Sequence, residues 1–492
     1  MKKLFTPLNM LLFSILVIAL VLRINHTERI LGFWYDQGRD AQVVWDFIHK
    51  GKFFLIGPTT GIEGIFRGPW YYWLITPFYF LSKGNPVLPA MFLASTTVLG
   101  IYFLYKIGER LGGVKTGIFA SVLATLSFYL VSASRWLSNP TPMFLISTLT
   151  VWFMLSFIDG KKFSLICVGL LTGLAIQFGS AAEVFYIPSI FILLLIYRKK
   201  IENIGQLILP AMMFVLIFIP QLWFNFRHDG VFLAALNKFL VEEQSFKLSF
   251  WQMIQVRFPF YLDMISSKFW LNDVKAFAPF VGAVIAAMIM YWKEMWKKDE
   301  FKIIFIFTLT PFLGMLFFQG NHGNVYEYYF SGYFYLWILL FAYCLIMLAR
   351  SFVGKIVLIV FMGIFLFKNI PLSYGMAFRM GDDGTSAIYL SNQKKIIDWI
   401  YDDATDQPFN IDVYVPPVIP HAYNYLFEWY GGTVKERQPN KELVDTLYTI
   451  YELDIPHPER LDVWLKRQDT IGKVVDEYRY GGITVQKRIR IQ

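Results

Sequence analysis

Along most of the chain, apolar positions come in unbroken stretches rather than at alternating or helical-face spacing. Eleven such runs stand near 7–24, 86–105, 115–133, 141–158, 163–179, 184–197, 204–223, 274–292, 302–318, 330–349 and 353–370. A helix of about 17–22 apolar residues crosses a hydrocarbon core about 30 Å thick. The pattern therefore predicts an all-α polytopic membrane protein, with 184–197 short and extending at either end. The segment Pro69–Leu81 (PWYYWLITPFYFL) is shorter, aromatic and punctuated by Pro69 and Pro77. It predicts a juxtamembrane or re-entrant helix at the interface, not a span.

The polar gaps fix an orientation. If Lys2 and Lys3 are cytoplasmic and 69–81 does not cross, the cytoplasmic loops are 106–114, 159–162, 198–203, 293–301 and 350–352. They carry Lys106, Arg110, Lys161, Lys162, Arg198, Lys199, Lys200, Lys293, Lys297, Lys298 and Arg350. Basic residues then mark the cytoplasmic side at every turn. The expectation is about eleven transmembrane helices, an N-terminus in the cytoplasm and a C-terminus outside, in the plasma membrane. The first helix, after Met1-Lys2-Lys3, is read as an uncleaved span because no small-x-small cleavage pattern follows it.

This topology gives the outer face a first loop at 25–85, a second large loop at 224–273, and short loops at Ser134–Asn139, Gln177–Glu183 and Gln319–Tyr329. The chain divides into a transmembrane domain, 1–370, and a small extracytoplasmic α/β domain, 371–492. The second part predicts a helix near 386–404, a strand at Asn410–Val415, helices near 421–430 and 458–469, and a closing hairpin of Lys473–Tyr478 with Ile483–Arg488.

Composition agrees with a bilayer. Hydrophobic residues make up 56% and charged residues only 16%, against about a quarter charged in soluble domains. The net charge of +9 is uneven: residues 371–492 hold 14 basic and 18 acidic side chains, so the excess belongs to the membrane part. That placement suits orientation by short basic loops, and no nucleic-acid partner is expected. Cys167 and Cys344 both lie in apolar runs, which excludes a disulfide framework in the tail.

Candidate chemistry gathers in the first loop. It reads Trp34-Tyr35-Asp36-Gln37-Gly38-Arg39-Asp40, about ten residues past the first run, and continues to Thr59–Trp70 (TTGIEGIFRGPW). Carboxylates beside aromatic residues at a membrane surface must be paired, because each loses water there. Arg39 is a natural partner for Asp40 or Glu63, which leaves Asp36 as the freer base for an acceptor hydroxyl. Arg67, before Gly68-Pro69, has the fork that meets phosphate oxygens. The same residues also fit a loop anchored by structural ion pairs.

The order of these features resembles the GT-C glycosyltransferases, which include protein O-mannosyltransferases and the lipid A aminoarabinose transferase. That family places an Asp, usually Asp-Glu, after the first span, then an aromatic juxtamembrane helix introduced by a basic residue and Pro. Here Asp36-Gln37 and Arg67-Gly68-Pro69 occupy those positions, and Asn139-Pro140 stands where the family has Asp-Pro. The likeness covers 1–230 in order and spacing, and 270–370 more loosely. Gln37 and Asn139 depart from it, and each still hydrogen-bonds a sugar or orients Asp36.

The resemblance implies a polyprenyl-phosphate sugar donor and an acceptor on a glycolipid, a cell-wall polymer or a protein. Asp36 would deprotonate the acceptor hydroxyl, which attacks C1 and inverts it. The leaving lipid phosphate needs cations, not a general acid. Arg67 is the first candidate and Arg135 the second, with Arg227, His228, Arg257 and Lys268 in reserve. His322, in the loop Gly320–Tyr329, is a third phosphate candidate, while Glu327 has the wrong sign and is grouped with Gln37, Asp40, Glu63 and Asn139 as substrate-orienting. No cofactor is expected, and a divalent metal is not part of the expected site.

Remaining signals are weaker. His26, His49, His421 and His457 lack metal-ligand spacing. Glu183, at the end of a run, reads as functional or as a hydrated residue at the outer mouth. No glycine-rich phosphate loop follows a strand, so neither a nucleotide-sugar enzyme nor an ATP-driven pump is supported. A secondary transporter or a lipid or polysaccharide flippase is the alternative, and it expects charges at the membrane midplane. A receptor working through its tail is a third reading.

Overall fold

The computed structural model describes residues 6–239, 248–271, 273–318, 323–416 and 419–491. The apolar runs fold as helices, since a backbone without water must satisfy its own polar groups. Among the described residues six are long and apolar enough to cross a membrane: Pro7–Ile24, Val87–Gly112, Ile204–Arg227, Val274–Met295, Glu327–Leu348 and Phe352–Arg379. Val114–Leu126 and Phe128–Ser134 are long and apolar enough only when taken together, with a bend of 66° between them. The bend falls at Ser127, whose hydroxyl caps Leu130 N and donates to Lys268 O at 2.6 Å. Met143–Ile158, Ser164–Phe178 and Ala181–Ile196 are shorter apolar helices. The protein is an integral membrane protein.

The expected interfacial segment is the helix Trp70–Leu81. Its 12 residues span about 18 Å at 1.5 Å per residue, well short of the hydrocarbon core. The region expected as a long loop, 224–273, instead holds two further helices, Val231–Asn237 and Phe250–Ser267.

The five short basic loops meet at one end of the bundle. Arg110 pairs with Asp159 at 2.7 Å and Glu300 at 3.1 Å, Lys162 with Glu202 at 2.5 Å and Arg350 with Glu294 at 2.6 Å. The opposite end carries the first loop and the C-terminal domain.

That domain begins beyond the helix Phe352–Tyr374, which continues as one wider turn to Arg379. It packs the helices Leu390–Ala404 and Pro458–Ile471 with a four-stranded sheet. The strands are β1 (Asn410–Tyr414), β2 (Thr446–Glu452), β3 (Gly472–Tyr480) and β4 (Ile483–Arg490), in the order β1-β2-β4-β3. β1 and β2 are parallel, and β4 runs antiparallel to both of its neighbours. The hairpin β3–β4 is the one the sequence predicts, whereas β2 is an addition.

The domain is tied to the chain just past the first span. Leu390 N donates to Leu31 O at 2.9 Å, Ser391 Oγ to Arg29 O at 2.6 Å and Gln393 Nε2 to Phe33 O at 2.9 Å. Trp429 Nε1 donates to Lys83 O at 2.8 Å, at the far end of the same loop. Backbone carbonyls of the loop, those of the buried Leu31 and Phe33 among them, thus find donors in the tail.

Candidate active site

The motif Trp34–Asp40 forms the first turns of a helix, Tyr35–Lys50. Gln37 accepts from Trp34 N at 3.2 Å, the reach-back that closes a helix N-terminus. Its other end donates to Leu137 O at 3.2 Å. The Gln37 amide is therefore committed to capping the helix and tethering it to the loop after Ser134. Asn139 acts similarly, donating to Phe178 O at 2.7 Å.

On this helix Arg39 lies between two carboxylates. It pairs with Asp36 at 2.9 Å and with Asp40 at 2.7 Å, and donates to Thr59 Oγ1 at 2.8 Å. Asp40 also accepts from the Tyr72 hydroxyl at 2.8 Å, which fixes it against the juxtamembrane helix. The Asp36 side chain is 57% exposed and that of Asp40 only 6%. Burial pushes the Asp40 carboxyl up to about 6, against the lowering pull of Arg39 and the Tyr72 hydroxyl. The expectation that Asp36 stands clear of Arg39 is corrected here: the guanidinium bridges both acids. Glu63, the other partner considered, is exposed and joins no ion pair among the described residues.

Arg67 arrives on a short hairpin. Gly57 N donates to Arg67 O at 2.7 Å, Arg67 N to Pro58 O at 3.2 Å, and Thr59 bridges Phe66. Next to it, Gly68 N donates to Gln177 Oε1 at 2.5 Å, and a Cβ on Gly68 would lie 2.6 Å from that oxygen. The Arg67 guanidinium donates to Gly179 O at 2.9 Å and Ser180 Oγ at 3.1 Å. Both partners are neutral. Glu183, Tyr328, Asp40 and Tyr329 all act on it electrostatically, yet burial outweighs them and disfavours its charge. Arg67 joins no ion pair among the described residues, yet lies close enough to Glu183 and Asp40 to feel their fields.

Glu183 does not sit hydrated at a mouth. It is fully buried, accepting from Ser180 N at 2.6 Å and Gly332 N at 2.8 Å. It clamps the turn carrying Gly179 and Ser180 to the helix Glu327–Tyr333. That helix brings in Glu327, which pairs at 2.7 Å with Lys268, a residue with no exposure. Lys268 Nζ in turn lies 3.3 Å from the centre of the Tyr129 ring. Glu327, partly exposed, supplies the counter-charge that the buried Lys268 requires.

Beside this cluster is a cavity of about 470 Å³, lined by Trp34, Tyr129, Arg135, Trp136, Tyr328 and Tyr389 among others, and by no carboxylate. Arg135 donates to Leu22 O at 2.9 Å and Asn25 O at 2.6 Å and joins no ion pair among the described residues. Trp34 caps the helix of Asp36, and Tyr328 lies in the field of Arg67, so the cavity adjoins both. Arg227 and His228 are exposed, and Arg257 donates to Phe318 O and Gly323 O. His322 lies outside the described residues. Among the described residues no group of three His, Cys, Asp or Glu gathers as metal ligands.

Sequence reasoning missed Tyr72, Thr59, Gln177 and Tyr328. Each sits in a run whose pattern signals only helix or turn, so nothing local marks it. His421, from the C-terminal domain, is also part of the neighbourhood: its ring meets Tyr35 edge-on at 4.7 Å.

Residues 67–224 match the model of a family described as dolichyl-phosphate-mannose-protein mannosyltransferase. No curated protein matches the chain by sequence. Among solved structures it is similar to ArnT from Cupriavidus metallidurans in the apo state, at 13% identity and TM-score 0.62, covering 97% of each chain. The same protein bound to undecaprenyl phosphate is similar at 14% identity and TM-score 0.58, again with 97% of each chain covered. The oligosaccharyltransferase of Archaeoglobus fulgidus in its apo form is similar at 11% identity and TM-score 0.52, over all of this chain and 75% of the other. The chain thus has the fold of the GT-C glycosyltransferases, and its residues 67–224 match the dolichyl-phosphate-mannose-protein mannosyltransferase family.

Proposed function

We propose that this protein is an integral membrane glycosyltransferase that moves a monosaccharide from a polyprenyl-phosphate donor to an acceptor hydroxyl, inverting the anomeric carbon. One observation carries the reading. An exposed carboxylate, Asp36, is fixed by Arg39 and its buried partner Asp40 in the neighbourhood of Arg67, a cation whose hydrogen-bond partners among the described residues are neutral. A base and a neighbouring cation are what this displacement requires. Asp36 accepts the acceptor proton, the oxygen bonds C1, and the C1–O bond breaks with its electron pair on the lipid phosphate. Arg67 stabilises that developing charge, and Arg135 supplies a second cation from the cavity wall.

The similarity to ArnT bound to undecaprenyl phosphate supports a polyprenyl-phosphate lipid as donor. The gathering of basic loops at one end supports an orientation with those loops in the cytoplasm and the site outside. Acceptors in keeping with the site are a glycolipid, a cell-wall polymer or a protein hydroxyl.

The test supplies radiolabelled undecaprenyl-phosphate monosaccharide to the purified protein in nanodiscs with a cell-envelope extract. Release of undecaprenyl phosphate with label transferred to the extract is expected. Donor that stays intact, yet crosses the bilayer of proteoliposomes, would establish the flippase reading instead.

A further inference from the structure

The C-terminal domain does more than cover the first loop. At Gly38 a Cβ would stand 2.3 Å from Ala422 N and 2.5 Å from the His421 carbonyl carbon. The chain at His421–Ala422 therefore rests directly on the helix that carries Asp36, and only glycine permits the approach. The contact extends along that helix: Gln42 Nε2 donates to Glu428 Oε2 at 2.6 Å, and Lys50 pairs with Glu428 at 2.6 Å.

This docking puts the His421 ring beside the carboxylate site. Its centroid lies 4.7 Å from that of Tyr35, and the Arg39 guanidinium lies 6.0 Å from the same Tyr35 ring. Asp36 and Arg39 both act on the imidazole electrostatically. Neither ring nitrogen of His421 has a hydrogen-bond partner among the described residues. Burial and the Arg39 charge hold its pKa below the ordinary value, which favours the neutral ring with one donor and one acceptor nitrogen.

We propose that the helices Tyr35–Lys50 and His421–Leu426 together form a seat for a saccharide acceptor, with His421 orienting the attacking sugar hydroxyl toward Asp36. The proposal rests on the transferase reading and names its acceptor class. A neutral imidazole and an exposed carboxylate supply donor and acceptor groups for adjacent hydroxyls. The half-exposed Trp34 indole and the Tyr35 ring supply flat apolar faces for a pyranose. The seat is built from two helices and presents no open strand edge along which an extended peptide would pair. A glycan hydroxyl therefore suits it better than a peptide serine or threonine. His421 here is a positioning residue: the proton goes to Asp36, and the imidazole holds the oxygen that loses it.

The experiment uses the full chain in nanodiscs and methyl glycosides of glucose, galactose, mannose and N-acetylglucosamine as probes. Binding is read by saturation-transfer NMR, and transfer from undecaprenyl-phosphate mannose by acceptor KM and kcat. At least one glycoside should bind, and His421→Ala should weaken it about tenfold, the size of one hydrogen bond of about 1.4 kcal/mol. KM should rise by the same factor with kcat changed less than about threefold, and His421→Gln should recover most of the affinity. No glycoside binding to the wild type, or equal affinity in His421→Ala, would overturn the proposal. So would preferential, His421-dependent binding of a serine-rich peptide. His421-dependent glycoside binding without any transfer would keep the seat and remove the transferase reading.

Discussion

Asp36 and Asp40 stand four positions apart on one helix, but burial gives them different tasks. Asp40, against Tyr72 and Arg39, is pushed up to about 6 and serves to neutralise the guanidinium. While Asp40 is ionised, Asp36 meets only part of the Arg39 charge. As pH falls through about 6, Asp40 takes a proton and the Arg39–Asp40 pair that holds Asp36 in place loses its charge balance. Transfer should therefore show an acid limb near pH 6. Asp40→Asn, fixed in the neutral form, should be slower at neutral pH and lack that limb; an unchanged pH profile would detach Asp40 from the chemistry. The stability sign is the reverse of a surface ion pair. The folded value lies above that of an ordinary aspartate, so ionising Asp40 destabilises the fold as pH rises toward 6, and the full penalty is present above it. Arg67 makes a separate prediction. If it stabilises the leaving phosphate, Arg67→Ala should lower kcat by about 10²–10³, with Lys recovering part of it as a point charge without the fork. Equal kcat in the two proteins would assign the phosphate to Arg135.

At the scale of elements, length and apolarity made most helices legible, including the 12-residue Trp70–Leu81, because the bilayer leaves few alternatives to a helix. Two elements were not legible, for different reasons. β2 (TLYTIYE) lies between two strands and is buried over most of its length, so it lacks the alternation that marks a half-exposed strand. Phe250–Ser267 carries Arg257, Pro259 and Asp263 inside an apolar sequence, which reads as loop until tertiary contacts are known. The site was legible to the extent that one loop holds its charged groups. Its electrostatic arrangement was not: Tyr72 reaches Asp40 across 32 positions and His421 reaches Tyr35 across 386, and no local pattern encodes such distances. The contact at Gly38 also belongs to this scale. Gly38→Ala should force the two helices apart and destabilise the docked domain by about 1–3 kcal/mol. Limited proteolysis of the tail, faster in the variant, reads this out; wild-type resistance would show that the backbones have room to spare.

The whole molecule has two unlike ends. One is a cluster of short basic loops linked by Arg110, Lys162 and Arg350 ion pairs, and the other is a carboxylate–guanidinium site covered by an α/β domain. This polarity predicts that a membrane-impermeant maleimide on intact cells labels Ile491→Cys and not Lys161→Cys. Labelling of both from the same side would refute the proposed orientation. The transporter reading expects charged groups midway through the bundle, whereas the ion pairs of Arg110, Lys162 and Arg350 join the short basic loops and that of Arg39 lies in the first loop. The account comes down to whether Asp36 takes the acceptor proton. Its most direct measurement is single-turnover transfer from an undecaprenyl-phosphate monosaccharide by wild type and Asp36→Asn, each shown to be folded by its thermal transition. A fall of about 10²–10⁴ in the transfer rate, with undecaprenyl phosphate still bound, is the predicted result. Transfer at the wild-type rate by a folded Asp36→Asn protein would contradict it.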